Sequence, residues 1–239
     1  MSDLPNPFAA PQTASAPDEN VWGDTPPEAL LKVKTGLSMV YFSICGMLLL
    51  ALLIPAILFS LGDNLDPNSL GLLGLLLGGG FLLLVLLGLA GQGFCLAVPP
   101  ETGARSLVTA SLVLQGISVF GSVAGLVLNL PLIGDSVWKI VMMGLSLASV
   151  VCFLLFMRRV ALHIHRGDVA GRAMRALIMG IIATVTYATA VVLALLGVRQ
   201  LGDPMGISGI LAFVGAILML ISLIMYANTV TYLRKAIVV

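Results

Sequence analysis

Six times along the chain, polar residues give way to an unbroken apolar run, over roughly 35–61, 70–98, 107–130, 137–157, 176–198 and 205–232. Crossing a hydrocarbon core about 30 Å thick takes about 20 helical residues, and each run is long enough. None alternates apolar and polar positions as a membrane barrel strand does, and a backbone in lipid must satisfy its own hydrogen bonds. The pattern predicts an all-α integral membrane protein, a six-transmembrane-helix bundle within a membrane domain spanning 25–239.

Residues 1–24 follow another pattern, with prolines at 5, 7, 11 and 17, few large apolar residues, and acidic groups at Asp3, Asp18, Glu19 and Asp24. Such a stretch buries too little apolar surface to fold and is expected to be a disordered tail. Thr25-Pro26-Pro27-Glu28 reads as a helix start, with proline suited to the first turn and Glu28 placed to reach back. No charged start followed by a short apolar core and a cleavage site is present, so the first span is expected to act as an uncleaved insertion signal.

Composition agrees, since 59% of 239 residues are hydrophobic and 10% charged, well outside the balance of soluble domains. Charge then orients the bundle, because cytosolic loops hold an excess of Lys and Arg. With both termini inside, ten of the twelve basic residues fall in the cytosol, and Lys139 and Arg199 fall outside with Asp63, Asp66, Asp135 and Asp203. Arg158, Arg159, Arg166, Arg172 and Arg175 form the densest basic group. They are expected to contact anionic lipid at the inner leaflet, where each gains about 1 kcal/mol.

The stretch Leu162-His163-Ile164-His165-Arg166-Gly167-Asp168 lies in that group. Facing the cytosol, its Arg-Gly-Asp cannot serve adhesion. Two histidines two residues apart point about 200° from each other on a helix, and neither a third histidine nor a cysteine is near, so no metal site is expected. A bend at Gly167 with Asp168 capping the next helix is the simpler expectation.

The third span carries Ser111, Gln115, Ser118, Ser122, Gly125 and Asn129 at steps of 4, 3, 4, 3 and 4, which draws one stripe along a helix face. That face should look into the bundle as helix-to-helix glue or, less simply, as the lining of a path. Thr184, Thr186, Tyr187, Thr189, Ser222, Tyr226 and Asn228 are candidate partners from the last two spans. Gly74 with Gly78, and Gly121 with Gly125, have the spacing of close helix contacts. Gly78-Gly79-Gly80 leaves open a broken helix of the kind that holds substrate in transporters.

The outer turns repeat an aliphatic-Gly-Asp form at Leu61-Gly62-Asp63, Ile133-Gly134-Asp135 and Leu201-Gly202-Asp203, and Pro26-Pro27-Glu28 returns as Pro99-Pro100-Glu101. A chain of three two-helix hairpins, each of about 70 residues, would produce this; ordinary turn chemistry would too.

No acidic, basic or histidine side chain lies mid-span, which disfavours proton relays and intramembrane acid–base catalysis. Cys45, Cys95 and Cys152 are isolated packing residues. No phosphate loop, HExxH or GxSxG occurs. Neither an enzyme nor a cofactor, metal or nucleic-acid partner is expected. The head Asn6-Pro7-Phe8-Ala9-Ala10-Pro11-Gln12 resembles the proline-bearing cytosolic heads of multi-pass bacterial membrane proteins with no assigned activity. That resemblance implies a bacterial inner-membrane protein with both ends inside, and it carries no functional residues. Two function classes follow: a binding or scaffold protein whose tail and basic belt meet lipid or a cytosolic partner, and a facilitator of a small neutral or lipophilic solute.

Overall fold

The computed structural model describes residues 22, 26–61, 67–128, 135–195 and 206–237. Every regular element among them is helical: α1 (Pro27–Leu61), α2 (Pro67–Cys95), α3 (Arg105–Leu128), α4 (Asp135–His163), α5 (Gly167–Leu195) and α6 (Ile207–Ala236), with a 3₁₀ turn at Pro100–Thr102 before α3. All six are long and apolar enough to cross a membrane. The chain is a multi-pass membrane protein.

The shortest helix, α3, has 24 residues and the longest, α1, has 35, or about 36 and 52 Å at 1.5 Å per residue. The surplus over the hydrocarbon thickness lies mostly at one end. Lys32 and Lys34 stand on the first turns of α1, Arg158 and Arg159 on the last turns of α4, and Arg172 and Arg175 on the first turns of α5. Helical hydrogen bonding therefore continues past the apolar runs into charged residues. α2 passes through Gly78-Gly79-Gly80 without interruption, so the broken-helix alternative does not hold.

Sequential helices pair as hairpins, α1 with α2, α3 with α4 and α5 with α6. α1 packs on α6 and α4 on α5, while α2 and α3 touch more sparingly. The helices thus follow one another around a ring in the order α2, α1, α6, α5, α4, α3. Hairpin pairing is what a threefold repeat would show, yet its details do not step by about 70 residues. Pro26-Pro27-Glu28 leads directly into α1, whereas Pro99-Pro100-Glu101 forms the 3₁₀ turn, ended by Gly103 at φ 60°. The three Gly-Asp turns lie outside the described residues, apart from Asp135, which opens α4.

The core occupies the end of the bundle that holds Trp22, the α2–α3 and α4–α5 connections and the end of α6. Phe153, Phe156, Met157 and Val160 of α4 meet Leu30, Val33 and Leu37 of α1 and Tyr226, Val230 and Leu233 of α6, and Ile237 just past α6 seals them. Phe153 and Tyr226 stand edge to face, 6.2 Å between ring centroids. Toward the other end, α2 from 71 to 84 has no buried residue.

Glycines mark where helices come closest. A Cβ on Gly36 would lie 2.5 Å from the Gly91 carbonyl oxygen, and one on Gly91 would lie 2.6 Å from that of Gly36. Ser43 Oγ, two turns further along, donates to the Leu84 carbonyl at 2.7 Å. Gly215 fits against the Tyr187 backbone in the last hairpin. By contrast Gly71, Gly74 and Gly78 face open space. Gly91→Ala is expected to cost about 1–3 kcal/mol, the range for forcing extra methyl groups into packed interiors, while Gly78→Ala stays within about 0.5 kcal/mol. Unfolding of both variants in detergent micelles against the parent checks this contrast.

Candidate functional site

Two groups of polar side chains stand apart from the apolar packing. The first is the stripe on α3. Ser111 and Ser118 are buried, Gln115 is half-buried, Ser122 is exposed, and Asn129 lies outside the described residues. The stripe faces α4 and α2. Ser111 Oγ is 2.9 Å from the Ser149 carbonyl and Ser149 Oγ is 2.9 Å from the Ser111 carbonyl, so each hydroxyl can donate to the other's backbone. Gln92 of α2 enters from the side, its Oε1 3.1 Å from Ser111 Oγ and its Nε2 donating to Gln115 Oε1. Further along, Ser118 Oγ donates to the Met142 carbonyl at 3.0 Å and Ser122 Oγ to that of Ser118 at 2.7 Å.

These partners differ from those expected. The hydroxyls of Thr184, Thr186 and Thr189 donate to carbonyls four residues back on their own helix, the local bond that hydroxyls favour inside a helix. Ser222 reaches Ala176 within the last hairpin. The residues missed were Gln92 and Ser149. Gln92 was legible as the polar residue of a Leu- and Gly-rich run, sharing a face with Val85, Gly88 and Cys95 at steps of 3, 4 and 3. The glycine pair on α3 serves packing: a Cβ on Gly121 would meet Met142 Sδ at 2.6 Å, and one on Gly125 would meet Trp138 Nε1 at 2.9 Å. The Trp138 indole N–H is buried with no acceptor among the described residues.

The second group is the basic end of the bundle. Arg158, Arg159 and Arg175 are exposed, and Arg166 and Arg172 are half-buried. Arg159 donates to the Gly103 carbonyl at 3.2 Å, tying α4 to the turn before α3. The guanidinium carbon of Arg172 lies over the Tyr232 ring, 3.9 Å from its centroid, and that of Arg234 stands 5.6 Å from the centroid of Tyr41. Such stacking holds a guanidinium without neutralising it. The sole ion pair among the described residues joins Arg166 Nε to Asp168 at 2.9 Å, with Arg166 NH2 on the second carboxylate oxygen at 3.0 Å. Arg158 and Arg175 hold no side-chain partner among the described residues.

The turn carrying these residues is not built as expected. The left-handed residue is His165, φ 57°, and not Gly167, where α5 already begins. His165 N–H reaches the Leu162 carbonyl and Arg166 N–H that of Ala161, the paired bonds of a Schellman cap, which satisfy the last carbonyls of α4. Asp168 sits inside the first turn of α5, bound to Arg166, instead of capping that helix. His163 stacks on Trp22, 5.7 Å between centroids at 49°, and Trp22 rests on the edge of the core. The expected tail, 1–24, is thus placed at this one residue, and the rest of it lies outside the described residues.

No family model, curated protein or solved structure matches this chain.

Replacing both amides of a buried pair is gentler than replacing one, which strands the other. Gln92→Leu and Gln115→Leu are each expected to destabilise the protein, and the double variant to lose less than their sum by about 1 kcal/mol, the upper part of the range for hydrogen bonds in membranes. Equilibrium unfolding of the four proteins measures this coupling. At the turn, His165→Gly should stabilise by up to about 1 kcal/mol, because glycine takes a left-handed conformation freely, and His165→Val should destabilise. Thermal melts of the two variants separate these outcomes.

Proposed function

We propose that this is a binding or scaffold protein of a bacterial inner membrane, oriented with both termini in the cytosol, whose basic end holds anionic lipid headgroups. The observation that carries this reading is the unneutralised charge of that end. Its helices and turns carry ten cations, Lys32, Lys34, Arg105, Arg158, Arg159, Arg166, Arg172, Arg175, Arg234 and Lys235, against the three carboxylates of Glu28, Glu101 and Asp168. Apart from Arg166, none of these cations is ion-paired among the described residues.

Arg158 is five residues before the end of α4 and Arg175 eight residues after the start of α5, about 7.5 and about 12 Å along their helices from the turn that joins them. At the junction of water and hydrocarbon, a guanidinium offers phosphate a planar fork of donors. The stacked positions of Arg172 and Arg234 hold charge there at reduced conformational cost. Cytosolic loops rich in Lys and Arg support the orientation.

A path for solute is less favoured by the geometry. Among the described residues of the α3 stripe, the hydroxyls go to α4 and to α3 itself and the Gln115 carbonyl accepts from the Gln92 amide, which is how polar side chains join helices in lipid.

Arg158→Gln combined with Arg175→Gln is expected to lose about 2 kcal/mol of anionic-lipid affinity at about 1 kcal/mol per cation, near thirtyfold, with thermal stability unchanged. Native mass spectrometry of the parent and variant, titrated with phosphatidylglycerol and with phosphatidylcholine, measures this. Equal retention of phosphatidylglycerol by both proteins would discard the lipid-binding reading.

A further inference from the structure

Two polar stripes run side by side at the inner end of the last hairpin. On α5, Asp168, Arg172 and Arg175 follow at steps of 4 and 3, and on α6, Asn228, Tyr232 and Lys235 do the same, so each set shares one helix face. Gly215 packed on Tyr187, Gly180 packed on Ser222, and Arg172 over Tyr232 fix the register of the two antiparallel helices. That register sets Asp168 level with Lys235 and Arg175 level with Asn228. All six turn away from the core: Arg172 is half-buried and the other five are exposed, while Val169, Ala173, Val230 and Leu233 on the other faces are buried.

The chemistry of this groove changes with depth. Nearest the water, Asp168 is already held by Arg166 on both carboxylate oxygens, at 2.9 and 3.0 Å, so it leaves the charge of Lys235 uncovered. In the middle, the Tyr232 ring supports Arg172 without spending its N–H donors, which meet no acceptor among the described residues. Deepest, about 10 Å along α6 from Lys235, the exposed Asn228 has no hydrogen-bond partner among the described residues. An amide left unpaired in an apolar medium is costly, and hydrocarbon offers it no acceptor. In a bilayer the acceptors that lie just below the phosphates are the ester carbonyls of the lipids.

We propose that this groove is a single phospholipid site, in which Arg172, Arg175 and Lys235 take the phosphate and the Asn228 amide donates to an ester carbonyl of the same lipid. The inference rests on the lipid-binding reading above and deepens it, placing on one hairpin an affinity that all ten cations would otherwise share. Long cationic side chains turn their heads toward the headgroup layer, and a guanidinium fork matches phosphate. Any anion can use those contacts, but only a molecule with ester carbonyls deeper in the bilayer also satisfies Asn228.

The test uses the full chain in zwitterionic micelles, read by native mass spectrometry during titration with phosphatidylglycerol and with its dialkyl ether analogue, which keeps the phosphate and lacks the ester carbonyls. The parent should prefer the ester lipid about fivefold, the scale of one hydrogen bond in a membrane, and Asn228→Leu should bind the two lipids equally. Equal affinity of the parent for both lipids would overturn the two-point site, and a preference that persists in Asn228→Leu would refute Asn228 as the donor. Arg172→Gln with Lys235→Gln should weaken binding of either lipid about thirtyfold, whereas Lys32→Gln with Lys34→Gln, the same loss of charge on α1, should weaken it less than about threefold. Equal losses from the two pairs would overturn the single site and leave lipid binding spread over the basic end. No loss from either pair would remove the lipid-binding reading as well.

Discussion

Lipid does not drive helices together as water does, so this bundle stands on the places where two backbones come near enough for dispersion and hydrogen bonds to act. The crossing of Gly36 with Gly91 is foremost among them. With no side chain on either residue, each carbonyl fills the space a Cβ would take on the other helix, and the α1–α2 hairpin closes around that point. Once α1 is held there, its Leu30, Val33 and Leu37 face the aromatic block of α4 and the end of α6, and the solid half of the protein follows.

The spans were readable because each is a continuous apolar run bounded by charge. Their ends were less so. α4 continues six residues past the expected limit at Met157, and α5 starts nine before Ala176, because a helix leaving lipid keeps its hydrogen bonds wherever it still packs against neighbours. Apolar length reports where lipid ends, and helix length reports where packing ends.

The α3 stripe was visible from its 3–4 spacing, but its partners were not. Spacing says which face of a helix is polar and nothing about which helix stands opposite. Choosing Thr184 and its neighbours favoured the polar-rich spans, yet hydroxyls close to a helical carbonyl are satisfied locally, and the partners came from α4 of the same hairpin, through Ser149, and from α2 of the neighbouring one, through Gln92. His165 misled for a related reason. Glycine is the obvious residue for a left-handed turn, and one stood two positions away at Gly167, but the hydrogen bonds at the end of α4 required the turn earlier.

The ring order of the helices bears on how the molecule is made. Its most extensive pairings join neighbours in sequence, so each hairpin can settle soon after it enters the membrane, with little search. The seam between α1 and α6 is different: it joins the first helix to the sixth and buries Leu233 and Ile237 beside Leu30 and Val33. Until α6 is inserted, that flank of α1 meets lipid or an insertion chaperone in place of protein. The buried core is therefore completed late in biosynthesis, and a chain that stalls before its sixth helix presents an unclosed seam for membrane quality control to detect.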